Sequence, residues 1–204
     1  MGSILQSLNK TIIAGVILTL ILLIIMSCSY GLTYDMNFWA TVSRYLHVIS
    51  GVMWIGLLWY FNFVQIPNMP NIPDEQKPAI GKVIAPAALF WFRWSALATV
   101  ITGLSTLALY YGHEGALNAL LLTIPSGFND PRSLTIGIGM WLALIMAYNV
   151  WMVIWPNQKR ALGIVEADAD TKAKSARTAM LFSRTNTMLS LPMLLAMVAA
   201  QNLS

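Results

Sequence analysis

Five apolar stretches divide the chain, over about 11–29, 38–66, 86–111, 134–155 and 178–200. A helical bilayer crossing needs about 20 largely apolar residues, so each stretch predicts one span. The predicted fold class is all-α, an integral membrane helical bundle of about five transmembrane helices. Proline and polar residues mark the connections. Pro67, Pro70 and Pro73 close the second span, because proline lacks the donor a helix interior needs. Residues 74–83 form a polar interfacial segment, and Pro86 suits the first turn of the third span. Residues 112–133 form a loop whose apolar run, 116–124, is too short to cross. Residues 161–176 are a polar connection of mixed charge, and Pro192 interrupts the fifth span. The first stretch carries nothing polar beyond Thr19, so residues 1–36 read as a peripheral, lipid-facing helix with its connection. Residues 37–204 read as a four-helix domain.

The second span has a polarised pattern. At about 3.6 residues per turn, His47, Gly51, Trp54, Leu58, Asn62 and Gln65 fall on one stripe. The opposite face, with Val48, Val52, Ile55, Trp59 and Phe63, suits lipid or packing. A plain anchor needs no such stripe. His47 and Asn62 lie 15 residues apart, roughly 22 Å along a helix axis, so the span links two sites.

Composition supports the membrane reading. Only 10% of the 204 residues are charged, against about 25% in soluble domains. The net charge of +4 bears on topology rather than on a nucleic-acid partner. With five spans, Lys10, Lys77, Lys82, Lys159, Arg160, Lys172, Lys174 and Arg177 share one side. Arg132, and Arg44 at a span start, fall on the other. The excess of cations on cytoplasmic loops then sets the N-terminus inside and the C-terminus outside. The single Cys28 excludes an internal disulfide and a cysteine cluster, and two histidines exclude a multi-histidine cage.

Two constellations remain. On the outer side, His47 and His113 are the candidate metal ligands, with Gly51 as the small residue that lets a macrocycle approach the backbone. Two imidazoles are the number that ligates one haem b axially. The competing readings are a His47 hydrogen-bonded to a neighbouring helix and a His113 exposed at the interface. Thr99, Thr102, Thr106 and His113 share a face at helical spacing, and Met53 and Met140 are further thioether candidates. On the inner side, Arg93, Asn149 and Arg184 are candidate substrate-binding residues, with Asn62, Gln65 and Asn186 beside them. Ionisable groups in spans usually face a bundle interior or a wet cavity. Arginine forks flanked by Trp91, Trp94 and Trp155 suit a planar anion or a quinone head group. The competing reading has both arginines snorkelling to lipid phosphates. No nucleotide loop, catalytic triad or carboxylate pair occurs.

These blocks carry a family resemblance. The run from His47 to Gln65, Lys77-Pro78 and Trp91-Phe92-Arg93-Trp94 resembles the N-terminal membrane domain of membrane-bound bacterial urate oxidases of the urate hydroxylase type. Asn149-Val150-Trp151, 154–159, 183–187 and Ser190-Leu191-Pro192-Met193 are similar to the same domain, so the resemblance covers roughly residues 40–200. A looser similarity joins His47 and Trp54-Ile55-Gly56 to membrane protoporphyrinogen oxidases and copper-resistance membrane proteins. For those, b-type haem at a helix histidine is implied. Members close to urate oxidase couple the domain to a C-terminal cytochrome c, whereas no Cys-x-x-Cys-His occurs in this chain.

The resemblance implies a redox-associated protein of the bacterial inner membrane. A planar substrate or quinol would bind the inner constellation, and electrons would pass through haem b to a separate external cytochrome c. The alternative is a non-catalytic subunit packing in a larger respiratory, photosynthetic or oxygenase complex. A transporter is disfavoured by the lack of intramembrane carboxylates and of paired broken helices.

Overall fold

The computed structural model describes residues 2–31 and 33–202, and all regular structure among them is helical. A short turn, Gly2–Leu5, precedes five long helices. These are α1 (Leu8–Tyr30), α2 (Met36–Asn71), α3 (Lys77–Leu120), α4 (Pro131–Ala161) and α5 (Ala169–Asn202). Contacts divide the chain into two compact units, one ending at Trp39 and one beginning at Ala40.

The first unit holds α1, none of whose residues is buried. Gly31 at φ 59° caps it, donating its N–H to the Ser27 carbonyl. Asp35 then starts α2 by accepting the Phe38 N–H at 3.1 Å.

Four helices, α1 to α4, are long and apolar enough to cross a membrane. The fifth expected helix, α5, is present and as long, but it is less apolar than the other four, and its packing shows why. It is an unbroken helix, but its buried stripe is Ser175, Ala179, Ser183, Asn186, Ser190, Met193, Ala196 and Ala200. Small and polar residues on the inward face lower hydropathy while allowing close helix approach. The most extensive helix packing in the second unit is accordingly between α4 and α5. A Cβ added at Gly139 would meet the Ala196 Cβ at 3.1 Å. Pro192 lies inside the continuous helix rather than interrupting it, at the cost of one backbone hydrogen bond.

Pro67 and Pro86, expected at span ends, and Pro156, just past the expected fourth span, instead lie within helices, by one shared device. Each of Pro67, Pro86 and Pro156 follows a π-helical segment: Tyr60–Gln65, Ile80–Ile84 and Asn149–Ile154. The residue just before each proline donates five residues back: Ile66 to Phe61, Ala85 to Ile80, Trp155 to Val150. A proline ring would otherwise clash with the carbonyl four residues earlier, and the widened turn gives it room. The second helix therefore runs on to Asn71, and the third begins at Lys77.

The expected loop from Gly112 is also corrected. Gly112 is non-helical at φ 65°, ψ −174°, yet helix resumes beyond it to Leu120. The resumed segment docks on α4, with the Trp141 indole donating to the Leu120 carbonyl at 2.9 Å.

The main core joins Trp54, Leu58 and Phe61 of α2 to Phe92 of α3, Met146, Val150 and Ile154 of α4, and Met193 of α5. The Phe61 and Phe92 rings meet edge to face at 5.9 Å. A smaller cluster around Leu107, Ala119, Ile136, Met140 and Ala200 fills the other end. Within α2, Trp54, Leu58 and Asn62 of the stripe are buried, and Val48, Val52 and Phe63 are exposed. Ile55 departs from that pattern and is buried in the main core.

Candidate functional site

Between α2 and the α3–α4–α5 group lies a half-open cavity of about 660 Å³. Its walls are mostly apolar. The polar exceptions include Arg44, His47, Thr99 and Thr106. The size falls within the range of small-molecule and cofactor sites, roughly 300–1,000 Å³.

His47 reaches from α2 to α3. Its Nδ1 lies 2.9 Å from the Thr99 carbonyl oxygen and 3.4 Å from the Thr102 hydroxyl. A carbonyl only accepts, so Nδ1 carries the proton and donates. In the neutral ring this leaves the lone pair on Nε2. A hydrogen bond from one ring nitrogen to a backbone carbonyl is the usual way a metal-ligating histidine is oriented and made more basic. The imidazole packs against Gly103, where a Cβ would stand 2.8 Å from the His47 Cε1 and 3.1 Å from Nδ1. Nearby, the Ser43 hydroxyl contacts Thr106 Oγ1 at 2.9 Å and donates to the Thr102 carbonyl at 3.3 Å, further joining α2 to α3.

His47 and Gly51 both line this cavity; His113 does not, and is exposed. The left-handed φ at Gly112 resets the helical phase, so His113 no longer follows the face of Thr99, Thr102 and Thr106. The structure therefore does not bring the two histidines to one cavity. Met140 lines it, together with Met193 and Met197, whereas Met53 does not. The glycine against the imidazole is Gly103, which the pattern on α2 alone could not reveal. The signal was the run of small residues Thr99, Gly103 and Thr106 on α3 at helical spacing.

The second constellation resolves into pairs. Asn149 Nδ2 donates to Asn186 Oδ1 at 2.9 Å, and Asn186 Nδ2 donates to the Met146 carbonyl at 2.9 Å. Asn62 Nδ2 donates to the Leu58 carbonyl and to the Ser183 hydroxyl, at 2.9 and 2.8 Å. All three asparagines are buried. Asn62 and Asn149 both sit in π-helical turns, so the wide turns place amides where α5 crosses. Arg93 is half-buried, with its guanidinium 3.4 Å from the Trp155 ring centroid. One of its terminal nitrogens, Nη1, is buried without a partner, as are Gln65 Oε1 and Asn62 Oδ1. Arg184 is exposed. The asparagines thus clamp helices, and Arg93 and Gln65 keep unused polar atoms.

Residues 126–202 match the family model described as urate oxidase N-terminal. The match takes in the whole of α4 and α5, with Met140, Asn149, Arg184 and Asn186. It is shorter than the resemblance over roughly 40–200, and His47, Gly51, Arg93, Asn62, Gln65 and His113 lie outside it. No curated protein and no solved structure matches the chain.

Proposed function

We propose that this chain is a redox-associated multi-pass membrane protein of the urate oxidase membrane-domain type, with the His47 cavity as a b-type haem site. The observation that carries the reading is the His47 geometry: Nδ1 held by the Thr99 carbonyl, the ring against Gly103, and the residue on a cavity wall. Bound there, a haem supplies one-electron redox chemistry. His47 would hold it through Nε2, the ring nitrogen left free by the Nδ1 bond to the Thr99 carbonyl. The Thr99 carbonyl orients the imidazole and makes it a stronger donor to a metal, and the buried Trp54 closes the wall. Met140, Met193 and Met197, which line the same cavity, would offer thioether sulfur to such a group, where His113 does not reach. Arg93, stacked on Trp155, with Gln65 beside the asparagine layer, is the group left to meet a planar anionic substrate or quinol. The setting is a bacterial inner membrane, with a separate cytochrome c as electron acceptor.

The test is the absorption spectrum of the purified protein. A Soret band that disappears in His47→Ala is the expected result; a spectrum with no His47-dependent band ends the haem reading.

A second reading is favoured by the exposure of Arg184 and by the asparagines bonding to helices. In it the chain is a non-catalytic subunit of a larger membrane assembly. Native mass spectrometry after gentle extraction decides this: a stable larger complex without haem favours the subunit.

A further inference from the structure

The polar groups on the cavity wall are lopsided. Three of them are buried donors with no partner: Arg44 Nε, Trp54 Nε1 and the Tyr111 hydroxyl. Trp54 is 0% exposed, so water does not answer its N–H from outside. Arg44 is stacked on Tyr110, its guanidinium carbon 3.8 Å from the ring centroid. Arg132 lies 4.9 Å over the neighbouring Tyr111. Arg44 thus lines the cavity, while Arg132, which does not, stands on the adjacent tyrosine. The only ion pair among the described residues is Lys77–Asp74, elsewhere in the chain. Asp130, two residues before Arg132 and within its electrostatic reach, accepts the Ser133 N–H at the start of α4.

An unpaired guanidinium on an apolar wall within a bilayer is costly, and unsatisfied buried donors add about 1–3 kcal/mol each. A ligand rich in acceptors removes both costs. Spacing along α2 fixes its outline. Arg44 lies three residues from His47 on one side, and Trp54 lies seven on the other. These intervals correspond to roughly 4.5 and 10 Å of helix axis.

We infer that the cavity takes an apolar, planar acid whose carboxylate is received by Arg44 and Tyr111, with its body against His47 and Trp54. The inference rests on the His47 cavity being a ligand site, as in the function proposed above. Arg44 sets which way round the ligand enters. A guanidinium with a carboxylate forms strong, charge-assisted hydrogen bonds, and esterifying the acid removes that partner while keeping the planar body.

The full chain in nanodiscs of zwitterionic lipid is titrated with metal-free protoporphyrin IX and with its dimethyl ester, followed by fluorescence. Neither probe carries a metal for His47 to bind. The native protein is expected to bind the free acid about tenfold or more tighter than the ester. In Arg44→Gln that ratio falls to near one through weaker binding of the acid alone. Arg44→Lys, which keeps the charge, retains part of the preference and guards against a folding defect in the glutamine variant. An unchanged ratio in Arg44→Gln, or none in the native protein, overturns the inference. Phosphatidylglycerol retained by the native protein and lost in Arg44→Gln, with acid and ester bound equally, identifies a lipid phosphate as the occupant and also overturns it. Iron protoporphyrin separates this from the haem reading. A His47-dependent spectrum without acid preference sinks the Arg44 inference alone. Acid preference without that spectrum sinks the haem reading alone.

Discussion

His47 and Gly103 form a matched pair across α2 and α3: the imidazole occupies the space a side chain at 103 would need. A Cβ there would lie 2.8 Å from His47 Cε1, and the ring cannot turn aside without leaving the Thr99 carbonyl. Gly103→Ala is therefore expected to displace His47. Losing the partner that orients a metal-binding histidine typically costs about 10–100-fold in affinity. Haem content per protein, read from the Soret band, should fall by that order. Stability should change little, since overpacking of about 1–3 kcal/mol is partly offset by about 1 kcal/mol of helix propensity. An unchanged Soret band would show that the close packing does not govern His47.

Much of this arrangement was legible in the sequence, and its failures have physical causes. Periodicity along α2 placed Trp54 and Leu58 on one stripe with Asn62; the first two are buried where the helix keeps α phase, and Asn62 is buried within the π-helical turn. The same reasoning failed for His113, since one glycine at positive φ lies between it and the threonine face. Hydropathy counts apolar side chains rather than burial, so α5, with Ser183, Asn186 and Ser190 turned inward, reads differently from α1. Prolines suggested helix ends, but the π-helical turns before Pro67, Pro86 and Pro156 absorb them. Gly103 escaped notice, and Arg44 was read only as a charge bearing on topology, because their place at the cavity depends on contacts across helices.

Asn186 anchors the polar layer between α4 and α5, bonding both Asn149 and the Met146 carbonyl. Asn186→Ala removes both bonds and leaves Asn149 Nδ2 without its acceptor. In water-soluble cores such losses cost about 1–3 kcal/mol. Side-chain hydrogen bonds in membrane bundles average nearer 0.6 kcal/mol, because the unfolded reference state finds partners too. A loss of about 1 kcal/mol is expected in unfolding by denaturant in mixed micelles. The Asn149→Ala and Asn186→Ala changes should be strongly non-additive, since each already breaks the shared bond. Full additivity would show that the two amides do not act as a pair.

Gly137 of α4 meets the Ala119 carbonyl of the segment that resumes after Gly112, so a methyl group has no room there. The obstacle is backbone, which cannot rotate away. Gly137→Ala is expected to lift residues 113–120 from α4 and to cost at least about 1–3 kcal/mol. Limited proteolysis should then cut within 112–130 faster than in the native protein, while Gly56→Ala, which meets no atom within 4 Å, serves as the neutral control. Equal cleavage of the two variants would count against the docking of this segment.

Asp130 gives α4 a pH-dependent start. Its carboxylate accepts the Ser133 N–H at 3.0 Å, and hydrogen bonding to Ser133 holds its pKa below the ordinary value of 3.8. Protons therefore bind the unfolded state more readily than the folded one. The contribution to stability is complete above the unfolded pKa and is lost as pH falls through the lower folded value. Asp130→Ala should cost about 1 kcal/mol at neutral pH, the central value for an N-cap. Asp130→Asn keeps a good capping side chain without a titrating group. It should match the native protein at neutral pH and lose less stability on acidification. Asp35 and Asp168, also held low by backbone donors, leave a common background slope in both proteins. Thermal unfolding from pH 7 down to about pH 3 reads the difference, and identical acid limbs would remove Asp130 from the account.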